Sequence, residues 1–377
     1  MLDNERASHF HPLGDRSGAF YGWSPGGIAK QTPCRGRGVV IRVVHVICDL
    51  SPGGAERLVL ELCRRRAPDI ATTVATVQGL GALEDAYREA GIAVTMGGRP
   101  RKHLGIRALA RLSRAIADAD VVHTHLFAGD TWGRLAVLLE RARGRRAAVI
   151  TTEHNVNRDE TWQRPVKRVL ANVSDVIVCV SEATADWTRR VDGIPNVRVI
   201  PNGIDLGRFG PHRGGAGVLA VGRRVPQKGF DVLVDALPDG LPLRIAGEGP
   251  WTTTHPSVRL LGRREDIPAL LAEADILAVP SRWEGFGLAA AEGLAAGVAV
   301  VASDVDGLRE VVGDAGVLVA PGDVTAWRAA LARLAAEPTL RAELGARGKI
   351  RAAQRFAIDD TVRAYEALYR EFAVRCS

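Results

Sequence analysis

The chain has 377 residues, of which 46% are hydrophobic and 25% are charged, an ordinary composition for a soluble globular protein. It contains no apolar run approaching the roughly 18 residues that span a membrane, and its N-terminus lacks the apolar stretch of a secretory signal. At about 150 residues per domain, the length predicts two domains, each large enough to bury a core.

The formal net charge of +7 is concentrated in the first half of the chain. Residues 38–203 contain 24 Lys and Arg against 18 Asp and Glu, whereas residues 204–377 contain 21 against 22. A basic half suits an anionic partner such as a phospholipid surface, although a solvated arginine-rich surface explains the same excess. The five cysteines include no C-x-x-C pair, which favours free thiols in a reducing compartment over disulfides or a zinc site.

Residues 1–37 show no hydrophobic periodicity, and we expect a mostly disordered tail there. The first domain, residues 38–203, alternates apolar strands with amphipathic helices. The strands are "VVIRVVHVICDL", "ATTVATV", "AVTMGG", "DVVHTH", "AAVITTEH" and "DVIVCVS", and the helices are "AERLVLELCRRR", "LEDAYREAG", "IRALARLSRAIADA" and "GRLAVLLERARG". This alternation predicts an α/β domain with a doubly wound parallel sheet.

A segment rich in glycine and proline, "IPNGIDLGRFGPHRGGAG" at residues 200–217, predicts a linker, which we place at 204–216. The alternation then resumes with "VLAVGR", "GFDVLVDAL", "LPLRIAGEG", "VRLLG", "IPALLAEA", "DILAVPS", "GLAAAEGLAAG" and "VAVVAS". We therefore predict a second α/β domain over residues 217–350. The stretch from Asp323 to Arg370 is predicted to be helical.

Polar residues follow the strands of both domains. In open parallel sheets, ligands bind just outside the carboxyl ends of the strands. The first domain has "SPGGAER" (51–57), "HTH" (123–125) and "TEHN" (152–155) there, and the second has "GRRVPQKG" (222–229), "GEGP" (247–250) and "SRWEGFG" (281–287). Two such domains facing each other would form one cleft.

The segment "GRRVPQKG" carries two cations, Arg223 and Lys228, that suit a diphosphate, and glycines that let the backbone approach a ligand. A basic surface loop is the simpler interpretation of this motif alone. The segment lacks the spacing of a Walker loop, and no G-x-G-x-x-G follows a strand. ATPase and dinucleotide-binding functions therefore lose support.

The segment "EGFGLAAAEG" starts a helix directly after a strand, and the amides of a helix N-terminus bind phosphate. Glu284 precedes the helix and Glu292 lies two turns into it, on roughly the same side. Carboxylates accept hydrogen bonds from vicinal hydroxyls, so a diphosphate flanked by a sugar and a ribose suits this segment. Alternatively, Glu284 caps the helix and Glu292 is an exposed helical residue.

Three histidines, His123, His125 and His154, lie at strand ends of the first domain. The H-x-H spacing predicts that His123 and His125 share one face of the strand. Isolated histidines at such ends are more often structural than catalytic, and no Asp, Glu or Cys has convincing ligand spacing, so we predict no metal site. Gly53 and Gly54 allow close approach to a ligand, or simply form a tight turn.

Together these segments resemble the retaining family 4 glycosyltransferases of the GT-B fold, over nearly all of residues 40–370. The most specific matches are "IPNGID", "VGRRVPQKGFDVLVDAL", "GEGP" and "PSRWEGFGLAAAEGLAAGVAVVAS", supported by "SPGGAER" and "TTEHN". The resemblance implies two doubly wound, Rossmann-like domains facing across a cleft. It also implies a C-terminal helix, residues 351–377, that crosses back onto the first domain.

The resemblance also implies roles for individual residues. Glu292 would bind the ribose of a nucleoside diphosphate sugar, Glu284 would hold the transferred sugar, and His154 would lie near the anomeric centre. The implied catalytic residues are His154, Glu284, Arg223 and Lys228. The implied donor-binding residues are Gly222, Arg223, Lys228, Gly247, Glu248, Gly285, Phe286, Gly287, Leu288 and Glu292. The acceptor or diphosphate loop would contain Gly53, Gly54 and His125.

The implied activity is metal-independent and cofactor-free transfer of a sugar, with retention of anomeric configuration, from UDP-sugar or GDP-sugar to a glycan or lipid-linked acceptor. We expect a cytoplasmic enzyme without a nucleic-acid partner, in peripheral contact with the anionic inner face of the plasma membrane. Acceptor contacts are expected from residues 97–107, 125–132 and 155–165. A sugar-nucleotide 2-epimerase and a non-catalytic sugar-nucleotide-binding protein are the alternatives.

Overall fold

The computed structural model describes residues 40–96, 105–156 and 161–375. The predicted tail at residues 1–37, most of the segment 97–107 and part of the segment 155–165 lie outside the described residues. In the part of the chain that is described, two parallel β-sheets with helices between their strands confirm the predicted α/β fold class. No helix of this part combines the length and apolarity needed to cross a bilayer.

The first sheet contains seven parallel strands in the order β3-β2-β1-β4-β5-β6-β7. Its strands are β1 (Ile41–Ile47), β2 (Ile70–Thr76), β3 (Ala93–Met96), β4 (Val121–His125), β5 (Ala148–Glu153), β6 (Val176–Cys179) and β7 (Val197–Val199). The helices between them are α1 (Gly54–Arg64), α2 (Glu84–Glu89), α3 (Ile106–Ile116), α4 (Leu126–Arg141), α5 (Gln163–Leu170) and α6 (Glu182–Arg190).

The second sheet contains six parallel strands in the order β10-β9-β8-β11-β12-β13. Its strands are β8 (Val218–Val221), β9 (Leu243–Ala246), β10 (Val258–Gly262), β11 (Ile276–Val279), β12 (Ala299–Ser303) and β13 (Val317–Val319). The helices are α7 (Phe230–Asp235), α8 (Ile267–Glu273), α9 (Leu288–Ala296), α10 (Asp306–Val312), α11 (Val324–Ala336), α12 (Pro338–Arg355) and α13 (Ile358–Arg375).

The central strands of the first sheet bury successive residues against helices on opposite faces, because successive side chains of a strand point to opposite sides. Val43 packs with residues of α1 and α13, whereas its neighbour Val44 packs with residues of α3, α4 and α5. In the second sheet, Val218 packs with α7 and α11, and Leu219 packs with α8, α9 and α10. Both sheets are thus covered on two faces and expose mainly their carboxyl edges.

Helix α13 packs on the first sheet, although it follows the second sheet in the sequence. Val362 and Tyr365 belong to the same buried cluster as Val43 and Ile150. The chain passes between the sheets at Ile204 and again near Phe356, where Ile204 N donates to the Phe356 carbonyl at 2.8 Å. Helix α12 runs through residue 351 to Arg355, so the return crossing lies a few residues later than the predicted boundary.

The structure differs from the prediction in helix α4 and in short elements that were not predicted, among them β7 and β13. Helix α4 begins at Leu126, directly after β4, so residues 126–132 are helical and do not form the loop expected there, while their expected contact with the acceptor stays a prediction. Its glycines allow close packing: a Cβ on Gly129 would lie 2.8 Å from the Ile47 Cα, and one on Gly133 would lie 2.6 Å from the Thr124 Cγ2. The three-residue edge strand β7 was not predicted, since it is too short to show periodicity.

Candidate active site

The loop after β8 places Lys228 against the loop after β11. Residues Pro226–Lys228 form one 3-10 turn, which ends at Gly229 with a φ of 64°. A Cβ on Gly229 would lie 2.1 Å from the Pro280 carbonyl oxygen, so only glycine fits there. This close backbone contact fixes the position of Lys228 relative to the residues that follow β11.

Lys228 and Glu284 form an ion pair at the carboxyl edge of the second sheet. The Lys228 Nζ donates to the Glu284 Oε1 at 2.5 Å, and the Ser281 Oγ donates to the same oxygen at 2.8 Å. The two charged side chains are only 19% and 10% exposed. Glu284 therefore holds a lysine at the cleft and does not cap the following helix.

Helix α9 begins without a side-chain cap from any described residue. Its N-cap is Gly287, whose φ of 102° is a conformation that glycine adopts readily. The first backbone N–H groups of α9 therefore lack a side-chain acceptor and can bind an anion. Phe286 itself is buried and packs edge-to-face on Phe356, with ring centroids 5.4 Å apart.

The loop after β9 is held against the loop after β8 by Arg224. Its Nε donates to the Gly247 carbonyl at 3.1 Å and its Nη1 donates to the Trp251 carbonyl at 2.6 Å. A Cβ on Gly247 would lie 1.9 Å from the Gly222 carbonyl oxygen. The predicted donor residues Gly222 and Gly247 are thus brought together, whereas the side chain of Glu248 is exposed.

Glu292 is half-buried in the second turn of α9, which differs from the exposed helical residue of the alternative interpretation. Burial raises its pKa, while the positive charges of Arg57 and Arg208 lower it. Arg57 belongs to α1 of the first domain, and Arg208 lies between the domains. Both arginines are therefore near the predicted ribose-binding carboxylate, although the sequence analysis did not select them.

The glycines of "SPGGAER" form the N-terminus of α1, which approaches α9 across the cleft. Gly53 is the N-cap and has no side chain, but the Glu56 carboxylate folds back toward Gly53 and accepts a hydrogen bond from its own backbone N–H. A Cβ on Gly54 would lie 2.5 Å from the Leu288 Cδ1, so the first turns of α1 and α9 are close together. Gly54, predicted to lie by the diphosphate or the acceptor, is thus next to Leu288, a predicted donor-binding residue.

Glu56 is a buried carboxylate in the first turn of α1, and the sequence analysis did not select it. Burial raises its pKa to about 7, the negative charge of Asp49 adds to the rise, and Arg223 opposes it. Arg223 is itself exposed, so a cation of the second domain faces a carboxylate of the first. The charged residues of both domains thus meet at this part of the cleft.

A row of buried histidines lies at the carboxyl edge of the first sheet. The His154 Nε2 lies 3.1 Å from the His125 Nδ1, and the His125 Nε2 lies 3.1 Å from the His45 Nδ1. His45 pairs with His123 in the register of β1 and β4, and the rings of His123 and His125 are 4.0 Å apart. The prediction that His123 and His125 share a face is confirmed.

Helix α13 completes this row with two tyrosines. The Tyr369 hydroxyl lies 2.8 Å from the His123 Nδ1, and the His123 Nε2 lies 2.8 Å from the Thr152 Oγ1. The Tyr365 hydroxyl is 3.1 Å from the same threonine oxygen. His123 therefore has both ring nitrogens hydrogen-bonded inside the first domain.

The row is uncharged. Burial lowers the pKa of His45 to about 3 and that of His154 to about 4, and it lowers the pKa of His125 well below the ordinary value. Nitrogens of His45, His123 and His125 lie within 4.8 Å of one another, a spacing that a metal could bridge. Hydrogen bonds already occupy both nitrogens of His123, and no carboxylate among its described hydrogen-bond partners would balance a dication.

The loop containing Gly285 contacts the first domain directly. Its carbonyl accepts hydrogen bonds from the Ser181 Oγ and, at 3.1 Å, from the Thr184 Oγ1. A Cβ on Gly285 would lie 2.7 Å from the His154 carbonyl oxygen, so His154 lies next to the loop that carries Glu284. A cavity of about 270 Å³ opens beside Glu284, between Trp187 of α6 and Trp283.

Comparison with known proteins agrees with this geometry. Residues 52–208 match the model of glycosyltransferase family 4, and residues 215–337 match that of glycosyl transferases group 1. The chain is 32% identical over 323 residues to a D-inositol 3-phosphate glycosyltransferase from Salinispora arenicola, covering 70% of this chain and 71% of the relative. The chain belongs to glycosyltransferase family 4.

Other known proteins are similar to this chain over much of their length. A GDP-mannose-dependent alpha-(1-6)-phosphatidylinositol monomannoside mannosyltransferase from Mycolicibacterium smegmatis is 31% identical over 286 residues, covering 63% of this chain and 74% of the relative. The structure of Anabaena HepE with UDP-glucose superposes with a TM-score of 0.76 at 20% identity, covering 87% of this chain and 99% of HepE. This family 4 member is therefore a glycosyltransferase with the GT-B fold.

Proposed function

We propose that this enzyme transfers a sugar from a nucleoside diphosphate sugar to a glycan or lipid-linked acceptor, with retention of configuration and without a metal. The main support is the Lys228–Glu284 ion pair beside the uncapped N-terminus of α9. An ammonium and open helix amides suit a diphosphate, and a carboxylate suits sugar hydroxyls. One segment thus offers partners for both parts of the donor.

Departure of the diphosphate builds negative charge, and fixed positive groups aimed at that charge lower the barrier. Lys228 and the first amides of α9 would supply this stabilisation, and Arg223 lies on the neighbouring loop. When the diphosphate binds, Lys228 exchanges part of its contact with Glu284 for a phosphate oxygen. The freed carboxylate oxygen of Glu284 then accepts a hydroxyl of the transferred sugar, and no covalent intermediate with Glu284 is required.

The contact between Gly54 and Leu288 supports a diphosphate between α1 and α9, where two helix N-termini converge. Glu292 would then lie on the ribose side, and its carboxylate would accept the ribose hydroxyls. His154 would lie on the sugar side, since its backbone touches Gly285. UDP-sugar and GDP-sugar share the diphosphate and the ribose, so these contacts apply to both donors.

A thermal-shift screen with UDP, GDP, ADP and their sugar conjugates tests the donor site without an acceptor. We expect one nucleotide family to raise the Tm, and this rise to be lost in Lys228→Ala and Glu292→Ala. Lys349→Ala and Glu343→Ala are the matched controls, because both residues are exposed on α12. If no sugar nucleotide raises the Tm, or if the controls lose the shift equally, the proposed donor site is wrong.

The reaction itself is tested with the selected donor and a panel of glycan and lipid-linked acceptors. We expect the product to keep the anomeric configuration of the donor by NMR, and the rate to be unchanged by EDTA. An inverted product contradicts retention, and loss of activity in EDTA that added Mg²⁺ restores contradicts metal independence. Appearance of a 2-epimeric sugar nucleotide would identify an epimerase.

We also propose that the helix layer α3–α5 contacts an anionic membrane at the cytoplasmic face. Helix α5 and its N-cap expose Trp162 and Val169, which are 63% and 74% accessible. Helix α3, in the same layer, exposes Arg107, Arg111 and Arg114 at helical spacing. Exposed apolar side chains beside a basic stripe suit the headgroup region of an anionic bilayer.

Sedimentation with vesicles tests this contact. We expect binding to phosphatidylglycerol vesicles but not to phosphatidylcholine vesicles, and a weakening of at least several-fold in Trp162→Ala. Ile350→Ala is the matched control, because Ile350 is also exposed but lies on α12 of the second domain. Equal binding by the two variants, or absence of binding at low salt, overturns the proposed membrane contact without affecting the donor site.

A further inference from the structure

The row formed by His154, His125 and His45 joins the cleft to the interior of the first sheet through two contacts between ring nitrogens. Each contact is 3.1 Å long, and both use different nitrogens of His125. A neutral imidazole carries one N–H and one lone pair. Because His125 bonds through both nitrogens, it must donate in one contact and accept in the other.

This constraint leaves two proton arrangements for the row. In the first, the His45 Nδ1 donates to the His125 Nε2, and the His125 Nδ1 donates to the His154 Nε2, so that all three protons are on Nδ1. In the second, both bonds run in the opposite direction, and all three protons are on Nε2. The rings are neutral because burial lowers the pKa of each one.

The inner end of the row distinguishes the two arrangements. The His45 Nε2 is buried and has no hydrogen-bond partner among the described residues. In the second arrangement this atom is a buried N–H without an acceptor, whereas in the first it is a bare lone pair. Buried N–H groups without a partner are rarer in proteins than acceptors that are incompletely satisfied.

The outer end of the row reaches the cleft. The His154 Nε2 is used by His125, so Nδ1 is the ring nitrogen that remains for a ligand. His154 is 9% exposed. Its Nδ1, unlike the His45 Nε2, is not one of the solvent-inaccessible atoms that lack a hydrogen-bond partner among the described residues. Its backbone carbonyl lies beside Gly285, close to the loop that carries Glu284.

We infer that His45, His125 and His154 all carry their proton on Nδ1, so that His154 presents an N–H donor to the cleft. His125 and His45 are then positioning residues, which act on the substrate through His154. Resting on the proposed function, this donor would bind an oxygen of the transferred sugar. The tautomer of His154 is thus fixed by the buried Nε2 atom of His45, at the other end of the row.

The tautomers can be observed directly, without a substrate. Full-length protein labelled with 15N-histidine gives long-range proton–nitrogen correlations that separate protonated from bare ring nitrogens. Single substitutions His45→Asn, His125→Asn and His154→Asn assign the signals. We expect Nδ1 to be the protonated nitrogen in all three rings. A proton on Nε2 in any of them overturns the inference, and neither outcome depends on the identity of the donor sugar.

A matched pair of variants tests the effect on His154. His125→Asn keeps a side-chain N–H that can donate to the His154 Nε2, whereas His125→Leu cannot donate. We expect His154 to keep its Nδ1 proton in His125→Asn and to lose this preference in His125→Leu. With the donor found by the thermal-shift screen, kcat should fall about 10-fold more in the leucine variant, the effect of one hydrogen bond.

A purely structural role of His125 would lower stability in both variants without moving the proton of His154. An unchanged His154 tautomer in a folded leucine variant therefore contradicts the inference. If the leucine variant does not fold, the spectrum of the unsubstituted protein still decides between the two arrangements. Failure of the donor screen, by contrast, would leave the tautomer result intact and would contradict only the proposed function.

Discussion

The carboxyl edges of the two sheets meet at one cleft but satisfy their polar groups differently. At the first edge, neutral histidine, tyrosine and threonine side chains hydrogen-bond to one another, and burial lowers the pKa of His45 and His125. At the second edge, Lys228 and Glu284 form an ion pair that is partly exposed. The histidine row of the first edge is therefore uncharged, although the buried Lys167–Glu153 ion pair lies directly beside it, whereas the second edge keeps a partly exposed ion pair that a ligand can redirect.

The difference follows from where each group lies. Histidine and tyrosine can be buried without a counter-ion because they are neutral at pH 7, whereas a buried lone charge is costly. The second edge keeps its charges near the surface on loops that glycines hold close together, such as Gly229 against Pro280. Substitutions should therefore act mainly on turnover at the second edge, whereas at the first edge they should act on stability and, along the histidine row, also on His154.

The largest effect is expected from removing the cation of the second edge. Lys228→Met takes away the ammonium that would stabilise the leaving diphosphate, and it leaves Glu284 without its ion-pair partner. We expect kcat to fall by about 100- to 1,000-fold, as when one preorganised donor is removed from a transition state. Steady-state kinetics would measure this, with Lys349→Met as the control. A loss of less than about 3-fold would contradict the proposed role of Lys228.

Glu56 is a buried carboxylate of the first domain, and its protonation predicts a pH effect on stability. Burial raises its pKa to about 7, against about 4.3 in an unfolded chain. Between these values the native state keeps a proton that the unfolded state has released. The free energy of unfolding should therefore fall as the pH rises from about 4 to about 7, by on the order of 3 kcal/mol.

Urea unfolding at pH 5 and pH 8 measures this contribution. The side chain at position 56 cannot titrate in Glu56→Gln. The free energy of unfolding should therefore fall less between pH 5 and pH 8 in this variant than in the unsubstituted protein. Glu343→Gln, on the exposed face of α12, controls for loss of a carboxylate at the surface. Parallel pH profiles for Glu56→Gln and the unsubstituted protein would contradict a raised pKa.

Glu292→Gln should weaken binding of the nucleotide without changing the chemical step. A hydrogen bond to a charged group contributes about 1.5–3 kcal/mol, so we expect the Kd of the selected nucleoside diphosphate to rise about 10-fold or more. Titration calorimetry would measure the Kd, and single-turnover kinetics would measure the step. A fall in the single-turnover rate at saturating donor would instead assign Glu292 to the transition state.

Smaller effects, on stability alone, are expected from Tyr369 at the histidine row and from Arg282 in the loop after β11. Tyr369→Phe removes the hydroxyl that pairs with the His123 Nδ1, and the unpaired nitrogen should lower the free energy of unfolding by about 1–2 kcal/mol. The loss should be equal at low and high salt, because no charge is involved. Arg282→Met, which breaks the exposed pair with Asp231, should cost under about 1 kcal/mol and become milder in salt. A salt-dependent loss in Tyr369→Phe would contradict a neutral histidine row.

The sequence predicts the fold well because strand and helix periods are local properties of the chain. It also locates the second edge, since Lys228 and Glu284 each follow a buried strand directly. The histidine row is different. His45 is in the middle of an apolar strand, and its partners can be identified only once the strand order is known, because that order places β1 beside β4.

Other contacts depend on packing between elements distant in sequence. Arg57 and Arg208 influence Glu292 from α1 and from the linker, and no spacing along the chain shows this. Gly129 suggests a loop when taken alone, yet it lies inside α4, at a position where a larger side chain would collide with Ile47. A glycine that breaks a helix and a glycine that lets a helix approach a strand are identical in sequence.

Helix α13 has a consequence for how the protein is synthesised. The ribosome makes this helix after the strands of both sheets, yet it covers Val43 and Ile150 of the first sheet. Until residues 358–375 leave the exit tunnel, that apolar face is open to water and to other nascent chains. The first domain is therefore completed after the second sheet, and a stop codon shortly before residue 358 would damage the sheet that is farther from it in sequence.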